Sequence, residues 1–355
     1  MTERRSSWTL PGGFERSELA IAPEERENEP QMKCVNLARE IGIESDLTGS
    51  EVKSHEMTPA ESVVVYRDAV KRGELSPVFI GIPHSGEMVP EHIWRRRASD
   101  TKSFGPQSGL DAGTRTLFEP SRGEFLAVRT RLSRVVVDCN REPTDFSGKA
   151  PSFMGVSWEK DLQGNPIYKN GQELAQQEKE KLVSQFYNAY YRRLHAVAAT
   201  VLREHEQALF VDGHSFPGDE DVPAYGVRAD ASKPLILLGT GKGKVGMLGV
   251  EDEIVKALQE VLEREIPDDF KDWSPLLDRK VAVNEMWTGT RNIRYWGREE
   301  WFKKGQLPPT SRAIQIEVNQ CGYFNNGKYD REKMKVLHEA LYAGLQRVAE
   351  MVRKK

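Results

Sequence analysis

His84 and Glu87 stand three residues apart, directly after the apolar run 78–82 and Pro83. Zinc accepts both imidazole nitrogen and carboxylate oxygen, and a catalytic zinc site has three protein ligands and one open position for water. A His-x-x-Glu pair also arises often by chance. The pair therefore indicates a metal site only if the rest of the chain supplies a third ligand and a base.

His214 is the natural third ligand, because it follows the apolar run 208–211 and lies within an Asp-Gly-His-Ser turn. Asp212 could hold one of its ring nitrogens. A hydrogen-bonded structural histidine is an equal alternative. Five other histidines compete less well, since they lie in a polar segment, in charged helical patterns or after a Pro-Glu pair: His55, His92, His195, His205 and His338.

Glu317 is the candidate general base. It interrupts the apolar and small residues of the strand pattern 313–318, where an ionised carboxylate is unfavourable unless it serves a site. Zinc lowers the pKa of bound water to about 7, and a nearby carboxylate can take the proton. The alternative is a solvent-facing strand residue that shares its face with Gln315.

Arg141 and Asn140 follow another apolar run and could bind a substrate carboxylate through a two-pronged contact. A structural ion pair of Arg141 with Glu142 or Asp145 is the alternative.

The elements that must position these side chains alternate along the chain. Apolar runs predict strands, and apolar residues three to four apart predict helices. The predicted strands are 63–66, 78–82, 125–128, 134–138, 208–212, 235–238, 281–283 and 313–318, and the predicted helices are 173–206, 250–264 and 330–353. This order predicts an α/β fold with a mostly parallel or mixed central sheet and helices on both faces. Ligands of such sheets bind beyond the carboxyl ends of the strands, where the candidate residues stand.

Bulk properties narrow the classes of function. The 355 residues are 38% hydrophobic and 30% charged, with a formal net charge of −3. There is no basic excess to favour a nucleic-acid partner. Three widely spaced cysteines, Cys34, Cys139 and Cys321, form neither a disulfide framework nor a Cys-x-x-Cys zinc site. Neither a signal peptide nor a membrane span is recognisable, so we expect a cytoplasmic protein without a membrane partner.

The polar residues 1–58 predict a partly disordered N-terminal extension, with one short helix near 35–43. Residues 59–355 are predicted to form a single domain. The sequence leaves the oligomeric state open.

Several segments resemble the N-formylglutamate amidohydrolase family, which is related to zinc carboxypeptidases and aspartoacylases. The resemblance runs from about residue 78 to 350, and it is carried by Pro-His-Ser-Gly at 83–86, Ser-Arg-Val-Val-Val-Asp-Cys-Asn-Arg at 133–141, Asp-Gly-His-Ser at 212–215, and similar segments at 164–168, 238–240 and 315–317. Such ordered motifs are far more specific than any one of them alone.

The resemblance implies a zinc-carboxypeptidase-like fold and hydrolysis of the amide of an N-acyl amino acid, such as N-formylglutamate. It implies one Zn²⁺ held by His84, Glu87 and His214, and Glu317 as general base and then general acid. The implied substrate-binding residues are Asn140, Arg141 and Arg294, while Arg134 is either a residue that polarises the scissile carbonyl or a structural one.

The family often has Gly-Gly-Tyr where this chain has Gly289-Thr290-Arg291, which leaves the exact substrate open. A zinc carboxypeptidase, a γ-glutamyl-peptide hydrolase and a non-catalytic binding protein on the same fold are the alternatives.

Overall fold

Continuous apolar runs form the strands at the centre of the molecule. The computed structural model describes residues 31–40, 44–46, 56–66, 75–98, 110–120, 125–146, 155–162, 164–218, 232–241, 250–286, 289, 291–297 and 311–354. Its strands are β1 (Met32–Asn36), β2 (Glu56–Met57), β3 (Val63–Tyr66), β4 (Val78–Ile82), β5 (Met88–Pro90), β6 (Leu126–Thr130), β7 (Ala208–Phe216), β8 (Lys233–Gly239), β9 (Leu277–Val283), β10 (Ser311–Asn319), β11 (Phe324–Asn325) and β12 (Lys328–Tyr329).

The main sheet has seven strands in the spatial order β3-β6-β4-β7-β10-β8-β9. Strands β6, β4, β7 and β10 run parallel to one another, whereas β3 and β8 are antiparallel to their neighbours β6 and β10. The carboxyl ends of four adjacent strands therefore meet at one edge of the sheet. The predicted α/β fold with a mixed central sheet is confirmed.

Helices cover both faces of this sheet. Their bounds are α1 (Leu37–Glu40), α2 (Glu91–Trp94), α3 (Thr114–Phe118), α4 (Gln176–Leu182), α5 (Asn188–Glu204), α6 (Asp252–Glu265), α7 (Arg291–Trp296) and α8 (Arg331–Arg353). One apolar core contains residues of α5 and α7, and a second contains residues of α6 and α8. None of these helices, within the described residues, is long and apolar enough to cross a membrane.

Alternation along β7 assigns its residues to the two faces, because successive side chains of a strand point in opposite directions. Leu209 and Val211 belong to the core beneath α6 and α8. Phe210 belongs to the core beneath α5, so Asp212 and His214 point to that same side. Asp212 and His214 thus follow Phe210 on one face of a strand whose earlier residues are apolar.

The long helix predicted over 173–206 is observed as α4 and α5, joined by a π-helical turn at Val183–Tyr187. A π-helical turn inserts one extra residue and often occurs at functional sites. Tyr187 at the end of this turn donates a hydrogen bond to the carbonyl of Arg141 over 3.0 Å, and Tyr191 donates to that of Cys139 over 3.0 Å. The helix therefore holds the loop that carries Arg141.

The strand predicted at 134–138 is wrong. In the structure this segment forms turns, in which the amides of Val136 and Val137 donate to the carbonyl of Ser133. The turn allows Arg134 to form an ion pair with Asp138, four residues later, at 2.9 Å. An apolar Val-Val-Val run has strand propensity, but the buried charges at its two ends favour the turn.

Part of the predicted N-terminal extension packs against the domain. Strand β1 pairs with β2 and with β5, and α1 lies within the predicted helical segment 35–43. Cys34, Leu37 and Met57 are buried in the core beneath α5. Residues 1–30 lie outside the described residues, so the predicted disorder and the boundary at residue 58 stay predictions.

Candidate metal-binding active site

His84 lies in a turn that follows β4 and is anchored to β6. The hydroxyl of Thr130 donates to the carbonyl of Pro83 over 3.0 Å, and the hydroxyl of Ser85 donates to that of Thr130 over 3.1 Å. A Cβ atom on Gly86 would lie 2.0 Å from the carbonyl oxygen of Leu132. The close passage of this backbone explains why glycine ends the Pro-His-Ser-Gly motif.

Three buried side chains converge near the carboxyl ends of β4 and β7. The Nδ1 atoms of His84 and His214 are 3.0 Å apart. Asp111 Oδ2 lies 3.2 Å from Nδ1 of His84 and 3.0 Å from Nδ1 of His214. The structure thus brings together two of the three predicted ligands and adds an aspartate that the sequence analysis did not single out.

The three atoms form a triangle that fits a zinc ion. Two ligand atoms of a tetrahedral zinc site, each about 2.0–2.1 Å from the metal, lie about 3.3 Å from one another. Two imidazole nitrogens and one carboxylate oxygen are also the donor set of many catalytic zinc sites. His84, Asp111 and His214 could therefore hold one metal ion.

Carboxylates hold the far nitrogens of both imidazole rings. Nε2 of His84 lies 2.8 Å from Asp138 Oδ1, and Nε2 of His214 lies 2.9 Å from Asp212 Oδ2. With each Nε2–H donating to its carboxylate, the two Nδ1 lone pairs point toward Asp111. This is the usual arrangement behind histidines that bind metal.

Arg134 bridges two carboxylates of the site. Its Nη1 donates to Asp111 Oδ1 over 2.9 Å, and its Nη2 donates to Asp138 Oδ2 over 2.9 Å. Burial opposes ionisation of Asp138, but the charge of Arg134 holds its pKa well below the usual range. Both carboxylates thus remain ionised beside the histidines, and Arg134 has a structural partner on each side.

Glu317 stands on β10 next to His214 on β7. The two residues are register partners in the parallel pair, so their side chains share one face of the sheet. Oε1 accepts a hydrogen bond from the side-chain amide of Gln315. Burial and the charge of nearby Asp111 raise the pKa of Glu317 to about 7. A carboxyl group with this pKa can both take and return a proton near neutral pH.

The structure does not place Glu87 with the other predicted ligands. Its carboxylate is buried and accepts hydrogen bonds from Asn36 Nδ2 at 3.2 Å, from the hydroxyl of Ser45 at 2.5 Å and from the amide of Asp46 at 2.8 Å. Burial raises its pKa to about 7. Asp111 takes the position that the sequence analysis had assigned to Glu87, because the side chain of Glu87 points toward the N-terminal segment.

Asn140 is buried in a network behind His214. Its Oδ1 accepts from the amide of Asn292 over 2.9 Å, while its Nδ2 lies 3.1 Å from His214 Nε2. Asn292 in turn donates to Asp212 Oδ1 over 2.9 Å. Through Asp212, which holds Nε2 of His214, these residues connect the first turn of α7 to the ring of His214.

Two arginines, Arg291 and Arg294, lie close to Glu142, and Arg141 precedes Glu142 in the chain. Arg141 donates through Nη1 to the carbonyl of Asn140 over 3.2 Å. Arg294, one of the implied substrate-binding residues, is about half exposed and lies 4.0 Å from Glu142. Arg291 is buried, 3.5 Å from Glu142, and its guanidinium packs on the rings of Tyr187, Tyr191 and Tyr295.

Sequence reasoning missed Asp111 and Arg291 as parts of this site. Asp111 follows no apolar strand pattern, and its only signal is an acidic residue just before an Ala-Gly-Thr helix start. Arg291 lies in the Gly-Thr-Arg segment that departs from the family pattern, and the sequence analysis assigned substrate binding to Arg294 instead.

Comparisons with known proteins agree with this architecture. A sequence model described as "FGase: N-formylglutamate amidohydrolase" matches residues 76–324. An N-formylglutamate deformylase from Pseudomonas aeruginosa is 22% identical over 255 residues, which are 72% of this chain and 84% of that protein. The chain belongs to the N-formylglutamate amidohydrolase family, because the match covers well over half of its length. This family membership places it among the hydrolases.

Two solved structures share its fold. The N-formylglutamate amidohydrolase from Ralstonia eutropha JMP134 matches with a TM-score of 0.62 and 20% identity, covering 82% of this chain and 98% of that one. A gene product of Agrobacterium tumefaciens matches with a TM-score of 0.51 and 17% identity, covering 82% and 96%.

Proposed function

We propose that this protein is a zinc-dependent amidohydrolase that cleaves the amide of an N-acyl amino acid, with N-formylglutamate as the first substrate to test. One observation carries the proposal: in a chain of this family, Nδ1 of His84, Nδ1 of His214 and Oδ2 of Asp111 lie 3.0–3.2 Å apart. Family membership supports the reaction class, and the donor set supports the metal.

His84, Asp111 and His214 would hold the ion. When bound, Zn²⁺ supplies Lewis-acid polarisation of the scissile carbonyl and lowers the pKa of water. Asp138 and Asp212 keep the two imidazole rings oriented through their Nε2–H groups.

Glu317 is the proton carrier of the proposed reaction. Its carboxylate takes a proton from the attacking water as the new C–O bond forms. It then returns this proton to the leaving nitrogen as the amide C–N bond breaks, which releases the acid, such as formate, and the free amino acid. Burial raises the pKa of Glu317 above its usual range, which favours both steps, because a general acid–base group works best when its pKa is close to the operating pH.

Arginines at the rim would bind the substrate carboxylates. Arg141 follows the site's buried Asn140 directly, and Arg294 is exposed enough to meet a ligand. Arg134 already forms ion pairs with Asp111 and Asp138. It would therefore polarise the scissile carbonyl through its positive charge rather than through a direct hydrogen bond.

Two measurements on the purified protein test the proposal. Elemental analysis should find about one zinc per chain, and Asp111→Asn should lose most of it. An activity panel should contain N-formyl and N-acetyl amino acids, γ-glutamyl substrates, and peptides that a carboxypeptidase would shorten from the C-terminus. We expect hydrolysis of an N-acyl amino acid, and we expect a chelator to inhibit it. Hydrolysis that survives complete metal removal would contradict the proposal, and so would turnover of peptides alone.

A further inference from the structure

Glu87 is one end of a buried polar connection to the N-terminal segment. It lies three residues after His84, and all three donors to its carboxylate come from residues 36–46: Asn36, Ser45 and Asp46. The backbone adds a fourth contact, because the amide of Leu37 donates to the carbonyl of Glu87 over 2.7 Å. The turn that carries His84 is thus bound at its far end by this segment.

Asp46 extends the same connection to the second candidate ligand. Its carboxylate accepts from the hydroxyl of Thr116 at 2.5 Å and from the amide of Thr116 at 3.2 Å. Its carbonyl accepts from Nη1 of Arg115 over 2.7 Å. Both partners belong to α3, which begins three residues after Asp111.

Glu44 fixes the segment from a third side. Its amide donates to the carbonyl of Gly327 over 2.7 Å, and its carboxylate accepts from the amide of Tyr329 over 2.9 Å. Arg331, at the start of α8, forms an ion pair with it at 2.5 Å. These contacts anchor the segment to the β11–β12 hairpin.

These contacts come from outside the part of the chain that matches the family, which begins at residue 76. Both segments that they support are turns or short helices rather than central strands. Ligands on such segments need additional bonds to stay in position, because a metal site tolerates only small displacements of its donor atoms.

We propose that Asn36, Glu44, Ser45 and Asp46 form a clasp that positions two metal ligands at once, His84 through Glu87 and Asp111 through α3. Glu87 is then a positioning residue. The inference rests on the proposed metal-binding function and deepens it, since it makes metal affinity depend on a segment outside the family match. Loss of a partner that orients a ligand typically lowers metal affinity 10- to 100-fold.

The test measures zinc affinity of the full chain by competition with a chromophoric chelator, with no reference to turnover. We expect Asp46→Ala and Ser45→Ala to bind zinc about 10-fold more weakly or worse. We also expect them to change the visible absorption spectrum of the cobalt-loaded protein, which reports ligand geometry. Glu87→Gln should weaken binding to a similar degree without abolishing it.

Two control variants separate positioning from general stability. Ser184→Ala removes an exposed hydroxyl that donates to the carbonyl of Lys181, and it should leave zinc affinity unchanged. Val255→Ala removes two methyl groups from the core beneath α6 and should lower the melting temperature without altering the cobalt spectrum.

Three outcomes would overturn the clasp. Clasp variants that bind zinc as tightly as the wild type would show that the segment does not position the ligands, while the proposed function would stand. If Val255→Ala lost as much zinc affinity as the clasp variants, the loss would be explained by lower stability of the fold rather than by positioning of the ligands. A wild-type protein that binds no zinc would overturn both the proposed function and the clasp.

Discussion

At the residue scale, hydrogen bonds occupy some atoms of each side chain of the site and leave others directed toward its centre. His84 and His214 each use Nε2 for a carboxylate, which directs both Nδ1 atoms to one point. Glu317 has only one oxygen engaged by a described hydrogen bond, from Gln315. The buried Glu87 has both oxygens engaged. This difference supports Glu317, rather than Glu87, as the proposed proton carrier.

Glu317→Gln tests the proton carrier. The amide keeps the shape of the side chain but cannot take a proton, so we expect kcat to fall roughly 10²-fold or more, the scale of general-base catalysis. Zinc content should remain at the wild-type level. Steady-state kinetics with elemental analysis will check this, and Glu332→Gln on the exposed start of α8 is the matched control. Normal turnover by Glu317→Gln would refute the assignment.

At the element scale, strands β7 and β10 carry His214 and Glu317, while turns and a helix start carry the other residues of the site. His84 and Asp138 lie in turns, and Asp111 lies just before a short helix. The continuous apolar runs predicted the strands well, because hydrophobic burial on both faces leaves a clear pattern. The turns were predicted poorly, since their geometry depends on buried ion pairs such as that of Arg134 with Asp138.

Gly86→Ala tests the turn after β4. The added Cβ would meet the backbone carbonyl of Leu132 at 2.0 Å, so the turn or the segment after β6 must move. We expect a loss of about 1–3 kcal/mol in the free energy of unfolding, together with weaker zinc binding. Gly344→Ala is the matched control, because the one close contact of its Cβ would be with the movable Cδ1 end of Leu258, at 2.6 Å. Denaturant unfolding measures both variants, and an unaffected Gly86→Ala protein would contradict this account.

Arg96 and Glu178 link the segment after α2 to the start of α4 through two hydrogen bonds of 2.9 and 2.7 Å. Those bonds, and one from the amide of Ala175, lower the pKa of Glu178 to about 2. Because the pKa in the folded state lies below the unfolded value of 4.5, the stabilisation is complete above about pH 5. It is lost as the pH falls from there toward 2.

We therefore expect Glu178→Gln to be less stable than the wild type at pH 7 by less than about 1 kcal/mol, since both side chains are about one-third exposed. The difference should shrink as the pH falls toward 2. Urea unfolding across this pH range measures it, with Glu180→Gln as control. A difference that stays constant with pH would exclude the ion pair as its source.

At the scale of the whole molecule, the described N-terminal residues are integrated with the domain. Strand β1 pairs with β5, and the clasp reaches both the His84 turn and α3. These contacts join residues 36–40 and 44–46 to the segments 84–87 and 111–116. Binding of one ion would couple their positions.

Metal binding should therefore stabilise the whole fold. A ligand that binds only the folded state at 100 times its Kd adds about 2.7 kcal/mol to the free energy of unfolding. We expect zinc to raise the melting temperature of the chelator-treated protein by a few degrees, and to leave that of His214→Ala unchanged. Calorimetry measures both, and equal shifts in the two proteins would indicate that zinc binds elsewhere.

The sequence by itself determined the α/β class, the main strands and helices, and the clustering of His84, His214 and Glu317 near the carboxyl ends of the strands. Each of these follows from local periodicity and from the geometry of parallel strands. Only the tertiary structure decided which carboxylate completes the cluster. The donors that hold Glu87 lie 41 to 51 residues away along the chain, and Asp111 reaches His214 across 103 residues. Side-chain direction after a turn depends on such distant contacts, and no local pattern in the sequence records them.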